Sequence, residues 1–192
     1  MTTFLDNIDT EKVTNLLNET QKNSEYFNTI TEQVVTAYTN DLDTLIKEIQ
    51  SNINEKNIPT ETLEDLMLRL SSLLYFMGTN LESVGIKEDI AKSMKQEVYN
   101  KSYLENDVEY VNDSGKKVKP TKDANVAFAE EKSKYENIIY TIYDRTYKII
   151  KFKIESASEL LSSLKKVFNR RIQETDFDRF QYNNVKENYG RN

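Results

Sequence analysis

Apolar residues recur three or four apart along most of this chain, the spacing of one helix face. From about Asp9 to Lys56 the stripe is Val13, Leu16, Leu17, Ile30, Val34, Val35, Tyr38, Leu42, Leu45, Ile49 and Ile53. The opposite face is Asn, Gln, Glu and Thr, so the stripe reads as a coiled-coil seam. A polar interruption at 22–24 predicts that this stretch splits in two. Pro59 turns Ile58 away from helix, and Thr60 or Thr62, the latter with Asp65, offers a cap. A second helix follows over about 61–84, with Leu63, Leu66, Met67, Leu70, Leu73, Leu74, Met77, Leu81 and Val84 as the most apolar run. Gly85 is placed to close it as a left-handed C′ residue.

A third helix is expected over about 87–104, with Ile86, Ile90, Met94 and Val98 four apart. The period then changes. Val108, Tyr110 and Val118 flank Asn112-Asp113-Ser114-Gly115, which is hairpin chemistry. A last helix of about 123–173 carries Phe128, Tyr135, Ile138, Ile142, Ile149, Ile150, Ile154, Leu161, Leu164 and Phe168, and a phase shift predicts a bend or a change of packing partner between Ile150 and Ile154. Residues 174–192 lose the period and read as a tail bearing Phe177, Phe180, Tyr182 and Tyr189. The expected fold class is all-α: an elongated helical bundle with long coiled-coil-like helices and one small β-hairpin. Its segments are an acidic N-terminal helical arm (1–58), a helical core (59–173) with a hairpin near 108–119, and a C-terminal tail (174–192).

Composition supports long helices. Among 192 residues there are 4 Gly and 2 Pro, the main punctuation of a chain. With no Cys and no His, disulfides, thiolate metal sites, imidazole bases and the usual nucleophile–histidine pairs are excluded. No Gly-rich phosphate loop is present. Asp41/Asp43 and Glu64/Asp65 are the nearest carboxylate pairs. Neither has a second cluster to complete a metal site, so the expectation is a protein that is not an enzyme and needs no cofactor. The first residues have neither a basic start nor an apolar run, and no stretch has the roughly 18 apolar residues of a membrane span. A cytoplasmic setting without membrane attachment is expected.

The net charge of -6 is unevenly distributed. Residues 1–65 hold thirteen acidic and four basic residues, whereas 116–173 hold fourteen basic and seven acidic ones. The asymmetry predicts an acidic end and a basic end, the latter suited to an anionic polymer or to the acidic half of a neighbour. Four constellations could serve. Lys116, Lys117, Lys119 and Lys122 sit on or beside the hairpin with Tyr110. Lys92, Lys95 and Lys101 alternate with Tyr99 and Tyr103 in the third helix. Tyr140, Tyr143, Tyr147 and Phe152 alternate with Arg145, Lys148, Lys151 and Lys153. Lys165, Lys166, Arg170 and Arg171 close the last helix. Lysines beside aromatics suit phosphate contact with base stacking. Each set also has a plainer reading: a solvated loop, tyrosines in the core with lysines reaching outward, or cations favoured by a helix C-terminus.

The order of these features resembles a known family. A lysine- and tyrosine-bearing helix (IAKSMKQEVYNKSYLE), a polar basic loop, and a long helix with an aromatic-aliphatic centre and basic end (TKDANVAFAEEKSKYENIIYTIYDRTYKIIKFKIESASELLSSLKKVF) follow one another over about 85–173. This resembles the small phage recombination mediators, the UvsY-like proteins. The resemblance implies an all-helical oligomer that binds single-stranded DNA and loads a RecA-type recombinase on strands covered by single-strand-binding protein. It implies DNA contact by Lys95 and Lys101, and by Lys92. The acidic first 60 or so residues are extra to that pattern. Homo-oligomerisation is expected independently, because narrow stripes on long helices leave apolar surface for a second copy. The alternative expectation is a scaffold or adaptor, such as a virion or host-interaction component, with no nucleic-acid binding.

Overall fold

The structure is a computed structural model. It describes the backbone of residues 10–54, 58–111 and 113–189, and the side chains of 22, 24–53, 58–111 and 113–177. Val13, Leu16 and Leu17 of the first stripe, Asn112 of the turn, and Phe180, Tyr182 and Tyr189 of the tail lie outside those side chains.

The fold is all-α with one small hairpin. Its elements are α1 (Thr10–Asn54), α2 (Thr60–Asn106), β1 (Tyr110–Val111), β2 (Lys117–Val118), α3 (Lys122–Lys132) and α4 (Lys134–Tyr189). No helix among the described residues is long and apolar enough to cross a membrane.

Four boundaries differ from the sequence pattern. No break falls at 22–24, where α1 runs on. Gly85 does not stop the second helix; residues 60–106 form one helix of 47 residues. A Cβ on Gly85 would stand 3.3 Å from Cε2 of Tyr147, so the residue serves a close approach by α4 and not a left-handed cap. The last helical stretch is interrupted at Ser133; near Ile150 α4 has no break, and it is there that the helix passes from one compact unit into the other. At the interruption the Ser133 backbone N–H and hydroxyl both donate to the Ala129 carbonyl, at 3.0 and 2.8 Å, and Ser133 is the C-cap of α3 (φ -92°, ψ 11°). Finally, the tail continues α4 as far as Tyr189. A helix with no apolar stripe gives no periodicity signal, which is why the pattern read as an ending.

The described residues form two compact units. One comprises the chain up to Ala37 with Ser83–Lys148; the other comprises Tyr38–Glu82 with the chain from Ile149 onward. Three long helices therefore contribute to both.

The second unit holds the aliphatic core. Leu42, Leu45 and Ile49 of α1 are buried with Leu63, Leu66, Leu70 and Met77 of α2 and Ile150, Leu161 and Leu164 of α4. Each such side chain contributes about 1.5–3 kcal/mol on burial. Residues 38–54 of the expected N-terminal arm thus pack into this core. Polar ties frame it. Glu48 accepts two hydrogen bonds from the Arg69 guanidinium, at 2.6 and 2.7 Å. The Arg69 fork holds the Glu48 carboxyl below its usual range. Lys153 donates to Thr39 and Asp43, and Thr39 donates to Asp43, which links α4 to α1.

These ties correct the expected separation of charge into an acidic end and a basic end. Acidic α1 lies beside basic α4 within one unit, and Asp43 meets Lys153 directly.

The first unit is built differently. Its buried side chains are mostly small or polar: Val35, Val84, Ala91 and Ala129 with Thr31, Ser102, Asn125, Ser133 and Thr146. Short side chains bring helix axes close but bury little apolar area, so this unit relies on close packing, with hydrogen bonds at Asn125 and Ser133 but none, among the described residues, to the buried hydroxyls of Thr31 and Thr146.

Gly78 offers a check on helix continuity. A Cβ there meets nothing within 4 Å. Gly78→Ala is expected to stabilise the fold by about 0.5–1 kcal/mol, read by urea denaturation, because alanine restricts the unfolded chain and favours helix. Were α2 to end and restart near this point, the substitution would give no gain.

Candidate nucleic-acid interface

Pro120 ends the hairpin and cannot donate a backbone hydrogen bond, so the chain restarts at Thr121. Thr121 is extended (φ -68°, ψ 156°), and its hydroxyl accepts from the Ala124 N–H at 3.2 Å, capping α3. This cap fixes Lys122 at the first position of α3. Four residues into α3, the Asn125 side chain is buried. Its carbonyl accepts from Asn106 at 2.8 Å, and its amide donates to Asp107 at 3.1 Å. Asp107 also lies 3.9 Å from the Lys119 ammonium. One buried amide thereby ties α3 to the end of α2, with the hairpin's Lys119 attached.

The tie brings two of the sequence constellations together. Tyr99, Asn100, Tyr103 and Leu104 of α2 and Lys122 and Val126 of α3 line one groove of about 470 Å³. The Tyr99 and Tyr103 rings are stacked, with centroids 6.5 Å apart and planes at 26°. Tyr99 also lines a neighbouring groove of about 490 Å³ with Lys95, Gln96, Glu130, Ser133 and Asn137. Both tyrosines are half-buried.

The lysines divide into groups. Lys92 is exposed. Lys95 is half-buried with its ammonium 5.2 Å from the centre of the Tyr140 ring, a cation–π contact that turns it toward α4. Lys101 is exposed and stands 3.9 Å from Glu105. Lys116 and Lys117 are exposed on the hairpin, whose register pairs Tyr110 with Val118 and Val111 with Lys117. Gly115 supplies the left-handed turn conformation (φ 73°).

The fourth constellation belongs to the other unit. Lys165 and Lys166 are exposed on α4. Arg170 pairs with Glu174 at 2.9 Å, and Arg171 donates to the Ile58 carbonyl at 2.6 Å. Because α4 continues beyond them, a helix C-terminal dipole does not account for these four cations. In the third constellation Tyr140, Tyr143 and Tyr147 are half-buried, Lys153 is engaged by Asp43, and Phe152 is exposed. Asp144 hydrogen-bonds Lys148 and raises its pKa.

Charge around the candidate site is balanced. Residues 83–148 contain twelve basic and twelve acidic side chains. No group of three or more metal-ligating side chains occurs among the described residues. The sequence pattern missed Asn125 and Tyr140 as positioning residues. A lone Asn in a short helix and a Tyr at core spacing carry no distinguishing signal.

No family model matches the chain, and neither a curated protein nor a solved structure matches it.

Proposed function

We propose that this protein acts without catalysis, as an assembly factor of the recombination-mediator type that grips single-stranded nucleic acid with the Tyr99–Tyr103–Lys122 groove. The observation that carries this reading is that aromatic and cationic side chains, remote in sequence, line one groove. A stacked tyrosine pair lining a groove suits an unpaired base, and Lys122 with the hairpin lysines suits the adjoining phosphates. Recombinase and single-strand-binding protein are the partners the family resemblance supplies, in a cytoplasmic setting. Lys101, Lys119, Arg170 and Arg171 already have acidic or carbonyl neighbours. Few counterions would then be released per site, and stacking carries much of the affinity.

Fluorescence anisotropy with single- and double-stranded oligonucleotides across a salt series tests this. Single strands are expected to bind preferentially, with a shallow salt slope. Tyr99→Ala with Tyr103→Ala is expected to weaken binding by about 1–3 kcal/mol per stacked base. No binding at low salt would end the proposal.

The second reading is a scaffold or adaptor that binds no nucleic acid. The even charge of residues 83–148 favours it, since a polyanion site ordinarily stands in net positive surroundings. The same titration separates the two.

A further inference from the structure

The exposed side of α2 in the first unit is not an ordinary solvated face. Ile86, Ile90 and Met94 are 54%, 55% and 53% exposed, and Leu104 is 69% exposed. With Glu97 and Lys101 they recur at spacings of three and four residues. At about 100° per residue all six fall within an arc of roughly 80°. This is a coiled-coil seam with no partner among the described residues and with opposite charges at two adjacent seam positions.

We propose that the occupant of this seam is a second copy of the same chain, running antiparallel, with the two-fold axis level with Tyr99. That register sets Glu97 against the partner's Lys101 and Lys101 against the partner's Glu97. It sets Met94 against the partner's Leu104, and the reverse. Moving outward, Ile90 falls level with the partner's Val108, just past the end of α2. Val108, Tyr110 and Val111 are themselves exposed apolar residues, with no covering element. The antiparallel register therefore brings the two exposed apolar groups of this unit together, one from each copy. A parallel pairing would oppose Glu97 to Glu97 and Lys101 to Lys101, and would leave Val108–Val111 beyond Ile86's reach. Charged seam positions of this kind specify register and orientation more than they add affinity. A two-fold interface needs a self-complementary patch, and the order apolar–acid–base–apolar is one.

Tyr99 and Tyr103 lie more than about 100° around the helix from the seam centre, so the dimer leaves both rings off the seam and covers only Leu104 at the edge of their groove. The inference deepens the assembly part of the proposed function and does not rest on nucleic-acid binding.

The chain lacks Cys, which permits a direct test on the full-length protein. Glu97→Cys and Lys101→Cys are exposed substitutions, and folding is verified by circular dichroism. Each variant is oxidised alone and as an equimolar mixture. A covalent dimer is expected from the mixture and not from either variant alone. In sedimentation equilibrium, Glu97→Lys or Lys101→Glu is expected to weaken self-association about tenfold or more by opposing like charges. The exchanged double variant E97K/K101E is expected to restore it. Cross-linking by either single variant alone, a mixture that fails to cross-link, or a double variant no stronger than the singles would each overturn the proposal. Any of these results leaves the oligonucleotide titration unaffected, so the two readings fail separately.

Discussion

Leu70→Ala is expected to destabilise the fold by about 2–5 kcal/mol, the largest effect of any substitution considered for this chain. Leu70 is fully buried in α2, within the core that also contains Leu66, Leu45 and Ile49. Truncation removes three carbons from water-excluded surroundings and leaves a void that neighbouring helices close only partly. Because α1, α2 and α4 all feed this core, the loss should appear as one cooperative shift in a urea transition followed by circular dichroism. Substituting alanine for Leu68, which is 64% exposed on the same helix, should shift the midpoint little. Equal shifts at both positions would mean that the aliphatic core is not where stability resides.

Asn125→Ala is expected to cost about 1–3 kcal/mol, with an additional loss of protection confined to α3 and the hairpin. The side chain is buried and holds Asn106 and Asp107 at once. Its removal leaves a small void at a buried position and frees two half-exposed partners, Asn106 and Asp107, from α3. Hydrogen exchange should report early opening of residues 122–132, ahead of the rest of the first unit. Oligonucleotide affinity should fall with it, because Lys122 is held near Tyr99 and Tyr103 by this link. Unchanged exchange in α3 would show that the capping hydroxyl of Thr121 alone secures the helix.

Much of the fold was legible because buried apolar residues recur at helical spacing. Leu42, Leu45, Ile49, Leu63, Leu66 and Leu70 were core candidates from spacing alone, and all are buried. The hairpin was legible from Asp113-Ser114-Gly115, whose glycine adopts the left-handed conformation. Gly85 misled because glycine marks both helix ends and close helix approaches, and local sequence does not distinguish them. The break at Ser133 has no glycine or proline to announce it. Its serine makes the same hydroxyl-to-carbonyl bond that Ser158 and Ser162 make within unbroken α4, so nothing local distinguishes it. The charge blocks misled for a different reason. A block of sequence becomes a surface patch only if nothing of opposite sign packs against it, and Asp43 packs against Lys153. The candidate groove was half legible: its tyrosines and lysines stood out, but their meeting depends on Asn125.

Each compact unit is discontinuous in sequence, and Lys153 finds Thr39 across a separation of 114 residues. During synthesis, then, the first unit cannot close until the chain up to Lys148 has left the ribosome, and the second must wait for the stretch that follows. The leucine-rich start of α2 has only α1 beside it, and lacks the cover of α4, while the following hundred or so residues are made. Such a chain favours slow, late, concerted collapse over stepwise folding, and its nascent form is a natural client for chaperones that shield unpaired amphipathic helices.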